Sequence, residues 1–229
     1  MEDFLCILAQ NFKEPLRLLK SHQLAIMGDG HNRFSEKSQK HLQSLGETST
    51  RLGAMIEALQ DYCSIGLSEK AFMETNLNSI LQKAVQALGI DLAEGQVELI
   101  VHGKLPWLPC DKKLIRELFR HLLANAIQYN TRPRKKIEVG LATALGLRFE
   151  LPARVRGEVF FIRDNGMGIR KKHQHNLFKP FQRCHTQQKY GPGLGMGLAL
   201  SKKIVEYHGG RIWLETIPGR STTVFFTLS

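Results

Sequence analysis

Four short stretches of the chain combine residue types and spacings that suit a phosphorylated nucleotide. Glu117, His121, Asn125 and Gln128 lie four, four and three residues apart, so on a helix they share one face. Such a stripe is also what a solvated helix face looks like. The amide oxygen of Asn125, however, is a hard ligand of the kind Mg²⁺ accepts beside a triphosphate. The second stretch is Asp164-Asn165-Gly166-Met167-Gly168-Ile169, directly after the apolar run Val159–Ile162. A carboxylate at a strand end can sit on a pocket floor and accept a hydrogen bond from an exocyclic amine such as adenine's. Alternate glycines let the base approach the backbone. Asp-Asn-Gly is equally an ordinary turn signal.

The third stretch is Leu177-Phe178-Lys179-Pro180-Phe181-Gln182-Arg183, followed by polar sequence up to Pro192. Its two phenylalanines fit a core, or they anchor a mobile lid whose Arg183 and Lys189 meet phosphates. The fourth, Gly191-Pro192-Gly193-Leu194-Gly195-Met196-Gly197-Leu198, places glycines at alternate positions and then runs into a helical pattern. Backbone amides bared by glycine at a helix N-terminus make a phosphate cradle. The spacing is not that of a dinucleotide fingerprint, and no GxxxxGK[ST] loop occurs.

The elements that must position these stretches can be read from periodicity. Leu5, Leu8, Phe12, Leu16, Leu19 and Ile26 form one apolar stripe, interrupted at Gly28-Asp29-Gly30. After Ser35-Glu36 a second stripe follows: Leu42, Leu45, Leu52, Ile56, Leu59 and Cys63. Residues 1–66 thus read as an αα-hairpin, and pairing with a second copy into a four-helix bundle would cover both stripes. Beyond it we expect helices at Leu77–Leu88, Asp111–Tyr129 and Gly197–Tyr207. Strands are expected at Glu98–His102, Lys136–Leu141, Val159–Asp164, Arg211–Glu215 and Thr222–Leu228. That mixture is an α+β two-layer sandwich over residues 67–229, with the hinge placed at Leu67–Thr75.

Composition bounds the possibilities. The chain has 229 residues, 42% hydrophobic and 23% charged, which is ordinary for a globular protein. Its net charge is +11, and residues 67–229 carry all of the excess: 25 Lys/Arg against 13 Asp/Glu, compared with 7 against 8 in residues 1–66. A basic half suits nucleic acid, an anionic surface or a phosphorylated ligand. No apolar run approaches a membrane span and no secretory signal opens the chain. Cys6, Cys63, Cys110 and Cys184 form no CxxC pair. The expected setting is cytoplasmic and reducing.

The order of the motifs resembles one family. Asn125 within HLLANAIQYN, then DNGMGI, then LFKPFQR, then GLGMGLALSKKIVEYHGGRIWLE resembles the N, G1, F and G2 boxes of sensor histidine kinases. That family shares an ATPase fold with gyrase, heat-shock chaperones and mismatch-repair proteins. Asn11-Phe12-Lys13-Glu14-Pro15-Leu16-Arg17, together with the lid KYGPGLGMGLAL, looks most like the phytochrome-like kinases. The resemblance implies ATP and Mg²⁺ as cofactors, with Asn125 on the metal and Asp164 on adenine. It implies Gly166 and Gly168 as G1 glycines, and Tyr129 as an aromatic beside the base. Gly193, Gly195 and Gly197 match the phosphate loop, with Leu194, Met196 and Leu198 between and beside them. Phe181 and Arg183 belong to the lid, and Glu117 is a candidate catalytic group. Gln128 replaces a common phosphate-binding Lys, and His121 replaces a common Asn.

The hairpin departs further. The family pattern is close to S-H-D-L-K-E-P-L-R, whereas this chain reads Ala9-Gln10-Asn11-Phe12-Lys13-Glu14-Pro15-Leu16-Arg17. Gln10 occupies the phosphoacceptor position and Asn11 that of the neighbouring acid. A carboxamide lacks imidazole's nucleophilic nitrogen, and Asn is no general base. The expected function is therefore the homodimeric core of a two-component histidine kinase that binds Mg-ATP and does not phosphorylate itself. It would serve as a regulatory pseudokinase or act on another protein's His, with a response regulator or partner kinase as its counterpart and the input from a sensor domain outside this chain. The alternatives are an active autokinase altered at position 10 and a nucleic-acid-binding module. No aromatic–basic interleaving supports the last of these.

Overall fold

Two long amphipathic helices open the chain, α1 (Glu2–Gly28) and α2 (Glu36–Ser64). The computed structural model describes residues 2–28, 34–67, 72–89, 97–147, 157–182 and 193–228; the side chains of residues 2–11 and of Lys172 lie outside that description. Ser35 caps α2 by accepting the Ser38 N–H at 3.2 Å. Between the helices Leu16 packs on Ile56, with Leu59 against them. Buried Gln23 donates through Nε2 to the Leu42 carbonyl at 3.1 Å. Gly46 makes room for it, since a Cβ there would lie 2.5 Å from the Gln23 amide. Of the rest of the first stripe, Phe12, Leu19 and Ile26 are exposed, and the side chains of Leu5 and Leu8 lie outside the described residues.

The chain divides into two compact units, Met1–Ser68 and Glu69–Ser229. The hinge expected at Leu67–Thr75 is too long, because Met73–Thr75 already belong to a strand. That strand, β1 (Met73–Asn76), pairs antiparallel with β3 (Trp107–Cys110). Neither strand was expected. Each has four residues, too few to display an alternating pattern, and Pro109 argues against a strand unless it lies on an edge.

The remaining elements of the second unit are α3 (Leu77–Ala87), β2 (Val97–His102), α4 (Lys112–Gln128) and β4 (Lys135–Leu141). A 3₁₀ turn at Ala142–Leu145 follows, then β5 (Val159–Asp164), the short α5 (Lys171–Gln174), α6 (Gly197–Tyr207), β6 (Ile212–Ile217) and β7 (Ser221–Thr227). Five strands form one sheet in the order β2-β4-β5-β7-β6, antiparallel except for β2 with β4. Helices α3, α4 and α6 cover one face. Their buried Leu77, Ile80, Ile115, Leu118, Phe119 and Ile204 meet strand residues such as Phe160 and Phe226, with Phe119 edge-on to Phe226. The opposite face carries a smaller cluster of Ala142, Phe161 and Phe225, flanked by Leu145, Val159 and Trp213. The result is the expected α+β sandwich, one layer of helices on one mixed sheet.

Candidate functional site

Helix α4 carries the first motif and is held at both ends. Asp111 caps it by accepting the N–H groups of Lys113 and Leu114 at 2.9 and 3.0 Å. Tyr129, the residue that caps its C-terminal end, offers a carbonyl to the 164–169 loop, as described below. Leu118, Leu122 and Leu123 are buried, which turns Glu117, His121, Asn125 and Gln128 toward one half-buried edge. The carboxylate of Glu117 takes the Nε–H of Arg120 at 2.6 Å and lies 3.6 Å from Arg116. Burial pushes the His121 imidazole down to about 4, with neighbouring Arg120 adding to that and Glu117 opposing, so it is neutral at pH 7.

Asn125 faces the start of α6. A Cβ on Gly197 would lie 3.4 Å from its Nδ2, 3.6 Å from its Oδ1 and 3.8 Å from His121 Nδ1. Nδ2 of Asn125 is buried without a hydrogen-bond partner among the described residues. A buried, unspent amide facing a glycine, which leaves the space in front of it clear of side-chain atoms, is what a hard cation and its phosphate ligand would use; the two ends of the amide interchange by rotation. Helix α6 begins there without any side-chain cap on its first turn, leaving N–H groups directed outward beside Gly195, which has φ +73°. Met196 is buried, while Gly193, Leu194, Gly195, Gly197 and Leu198 are half-buried. These residues fit Mg²⁺ with a phosphorylated ligand.

The third wall is the loop after β5. Asp164 Oδ1 accepts the Gly166 N–H at 2.8 Å, and the Thr222 backbone also bonds this carboxylate. Burial outweighs both bonds and pushes Asp164 up to about 6. Gly166 cannot carry a side chain: a Cβ would lie 2.6 Å from Asp164 Oδ1 and 2.8 Å from the Tyr129 carbonyl. That carbonyl also accepts the Met167 N–H at 3.4 Å, so the loop abuts the end of α4, one turn beyond Asn125. At Gly168, φ is +62° and a Cβ would collide with the Ile217 carbonyl. The three motifs are thereby gathered around Asn125–Tyr129.

Phe181 has φ +60°, a strained value for an aromatic residue, at the end of the segment anchored by buried Leu177. Arg183, Lys189 and the remainder of the expected lid lie outside the described residues. Gln10 and Asn11 belong to α1, and their side chains lie outside the description too.

Two asparagines carry weight that no motif assigned to them. Asn165 Oδ1 accepts the Asn130 Nδ2–H at 2.7 Å and the Lys136 N–H at 2.8 Å, while its Nδ2 donates to the Arg134 carbonyl at 3.2 Å. Asn130, nearly fully buried, accepts the Arg132 N–H at 3.1 Å. Together they pin the loop after α4 to the end of β5. Only the turn-forming character of Asn in HLLANAIQYN and DNGMGI could have hinted at this.

Comparison with known proteins agrees with this geometry. Residues 110–229 match the family described as histidine kinase-, DNA gyrase B- and HSP90-like ATPase. Over 228 residues, 100% of this chain and 29% of the relative, the sequence is 35% identical to cyanobacterial phytochrome B of Nostoc sp.. It is 28% identical over 229 residues to the phytochrome-like protein Cph1 of Synechocystis sp., again covering 100% of this chain and 29% of the relative. The chain thus spans under a third of the length of these curated relatives. Among solved structures, full-length ShkA in complex with AMPPNP superposes with a TM-score of 0.66 at 16% identity, covering 100% of this chain and 46% of that one. The Acinetobacter baumannii histidine kinase AdeS gives 0.59 at 19%, covering 93% and 95%. Both share the fold. The chain therefore belongs to the histidine kinase-, DNA gyrase B- and HSP90-like ATPase family, as the ATPase domain of a sensor histidine kinase of the two-component type.

Proposed function

We propose that this chain is the Mg-ATP-binding core of a two-component histidine kinase that does not phosphorylate itself. The observation that carries nucleotide binding is the buried, unspent amide of Asn125 set against Gly197 at the uncapped start of α6. Asn125 would hold Mg²⁺. Gly193, Gly195 and Gly197 would leave room for phosphates, with Leu194, Met196 and Leu198 shaping the loop. Asp164 would accept the adenine amine, and Gln128, Tyr129, Phe181 and Arg183 would line or close the pocket. When bound, ATP would supply the phosphoryl donor, with Mg²⁺ offsetting part of the triphosphate charge.

What the chain lacks is an acceptor at the family position. Gln10 has no nucleophilic nitrogen there, and Asn11 has no basic oxygen to take a proton. Glu117, ion-paired with Arg116 and Arg120, is available to orient or relay a proton, but nothing at position 10 can receive the phosphoryl group. The role left is that of a regulatory pseudokinase, or of a kinase that acts on another protein's His, in the cytoplasm and with a response regulator or partner kinase as counterpart. Residues 1–66 serve as the dimerising hairpin and residues 67–229 as the nucleotide-binding domain.

Calorimetry with a non-hydrolysable ATP analogue and Mg²⁺ tests the first half. Saturable heat that disappears in Asn125→Ala is expected; an identical titration with the variant would refute the assignment.

A further inference from the structure

The sheet face opposite the helices carries a charged feature of which the nucleotide site uses only Asp164, at its rim. Side chains alternate along each strand, and Ile162 lies opposite Val139 and Val224 toward the helices. Arg163, one residue on, lies opposite Glu138 and Thr223 on the other face. There Lys136, Glu138 and Arg163 join the 132–134 loop and Arg220 of the β6–β7 turn to line an open depression of about 750 Å³. Five of its lining residues are cations, Arg132, Arg134, Lys136, Arg163 and Arg220, against the carboxylates of Glu138 and Asp164.

Neither carboxylate offsets the whole cluster. Glu138 is already shared between Lys136 at 3.2 Å, Arg163 at 4.0 Å and His102 at 3.1 Å. Asp164 spends its Oδ1 on the Gly166 N–H. Arg132 donates to backbone carbonyls, through Nη2 to Gly219 at 3.0 Å and through Nε to Asn165 at 3.4 Å. Among the described residues, no carboxylate pairs with Arg132, Arg134 or Arg220. The loop that brings these like charges together is also tied down. Asn165 holds the Arg134 carbonyl and the Lys136 N–H, and Asn130 holds the Arg132 N–H. A backbone fixed in this way, with the Arg132 guanidinium itself held, keeps the arginine stems together and lowers the entropy lost when they close on an anion.

The lining also selects among anions. It holds no aromatic ring on which a base could stack, which disfavours single-stranded nucleic acid. Pro133 is its one apolar member, which disfavours a protein partner, whose contact needs an apolar centre. Converging arginines in a concave site match multiply charged phosphate oxygens.

We propose that this depression is an oligophosphate site, separate from the Asn125–Gly197 cradle, for a compact anion carrying two or more phosphoryl groups.

The test titrates the full chain with inorganic tripolyphosphate by calorimetry, in chelator and at low salt. One-to-one binding is expected, weakening as ionic strength rises, because exposed charges are screened over about 10 Å at 0.1 M. Arg134→Ser with Arg220→Ser should lower the affinity about tenfold or more, since charge-assisted bonds are lost. The same double variant should keep wild-type circular dichroism and unchanged Mg-dependent binding of the ATP analogue. Asn125→Ala should leave tripolyphosphate binding intact. Three results would each overturn the proposal: an unchanged affinity in the double variant, loss of binding in Asn125→Ala, or tighter binding of oligothymidylate or an oligo-aspartate peptide than of tripolyphosphate.

Discussion

The backbone N–H of Asp111 donates to Nε2 of His208 at 3.1 Å, a bond that joins the start of α4 to the end of α6. Nδ1–H of the same ring donates to the Ile204 carbonyl at 2.8 Å, and the ring stacks on Phe72 with centroids 4.7 Å apart. His208 is thus a clamp, 1% exposed, that sets how the helix bearing Asn125 meets the helix begun by Gly197. His208→Ala leaves a cavity and strands the Asp111 N–H, at a cost of about 2–4 kcal/mol. Thermal unfolding should show a fall on the order of 5–15 °C for a chain of this size. An unshifted midpoint would mean the clamp is not structural.

Gly197→Ala separates binding from folding. Alanine is the better helix former by roughly 0.8–1 kcal/mol. The added Cβ would meet Asn125 Nδ2 at 3.4 Å, an ordinary contact. Stability should hold or rise slightly. The methyl group nevertheless fills the space facing Asn125, so affinity for the ATP analogue should fall about tenfold or more, in line with displaced phosphate contacts. Parallel thermal melts and calorimetry read the two effects, and undiminished binding would place the phosphates elsewhere.

Asp164 gives a pH signature. Its folded value near 6 lies above the ordinary 3.8 because burial disfavours the charge. The stabilising contribution of this carboxyl is therefore fully present below about pH 3.8 and is lost as pH rises through about 6. Above pH 7 it costs on the order of 3 kcal/mol. Asp164→Asn keeps the shape and removes the charge. Without ligand it should melt higher than wild type at pH 8, with the gap narrowing toward pH 4. Nucleotide affinity should fall, by about 1–3 kcal/mol, through loss of a charged acceptor. A variant no more stable than wild type at pH 8 would contradict this account.

The hairpin predicts assembly. Phe12 is 52% and Leu19 48% exposed on α1, and Leu45 and Leu52 are each 44% exposed on α2, stripes too long to leave in water. Light scattering should return about twice the 26.0 kDa chain mass. Leu45→Glu with Leu52→Glu should move the mass toward one chain. A monomeric wild-type chain at micromolar concentration would undo this.

Legibility followed range. α4, α6 and β5 were readable because periodicity and glycine breakers are local, and Asp164 and Asn125 because they sit within ordered motifs. β1 and β3 were not, being short and held by pairing between residues more than thirty positions apart, such as Met73 with Cys110. The Asn130–Asn165 pin escaped for the same reason, since the partners lie 35 residues apart. The basic depression is assembled from three separate stretches, residues 132–138, 163–165 and 220–221, whose charges look, in sequence, like solvated surface.

The last expectation concerns phosphoryl transfer. The chain incubated with γ-labelled ATP and Mg²⁺ should acquire no acid-labile, base-stable label. Transfer needs a nucleophile at the acceptor turn of α1, and Gln10 and Asn11 offer amides whose lone pairs are delocalised into the carbonyl. His22 lies twelve residues further along the same helix, over three turns away, and outside the motif. Glu14, ion-paired to Arg17 at 2.7 Å, stands where phosphatase-competent relatives carry Thr or Asn, so little phosphatase activity toward a response regulator is expected either. Gln10→His should restore some labelling, and Gln10→His with Asn11→Asp more, because the acid can hold and deprotonate the imidazole. Even the double variant should fall short of a full kinase, as Gln128 supplies no cation to the phosphates. Label mapped by peptide analysis to a histidine of the unaltered chain, His22 above all, would show that the acceptor has moved and that the chain is an autokinase.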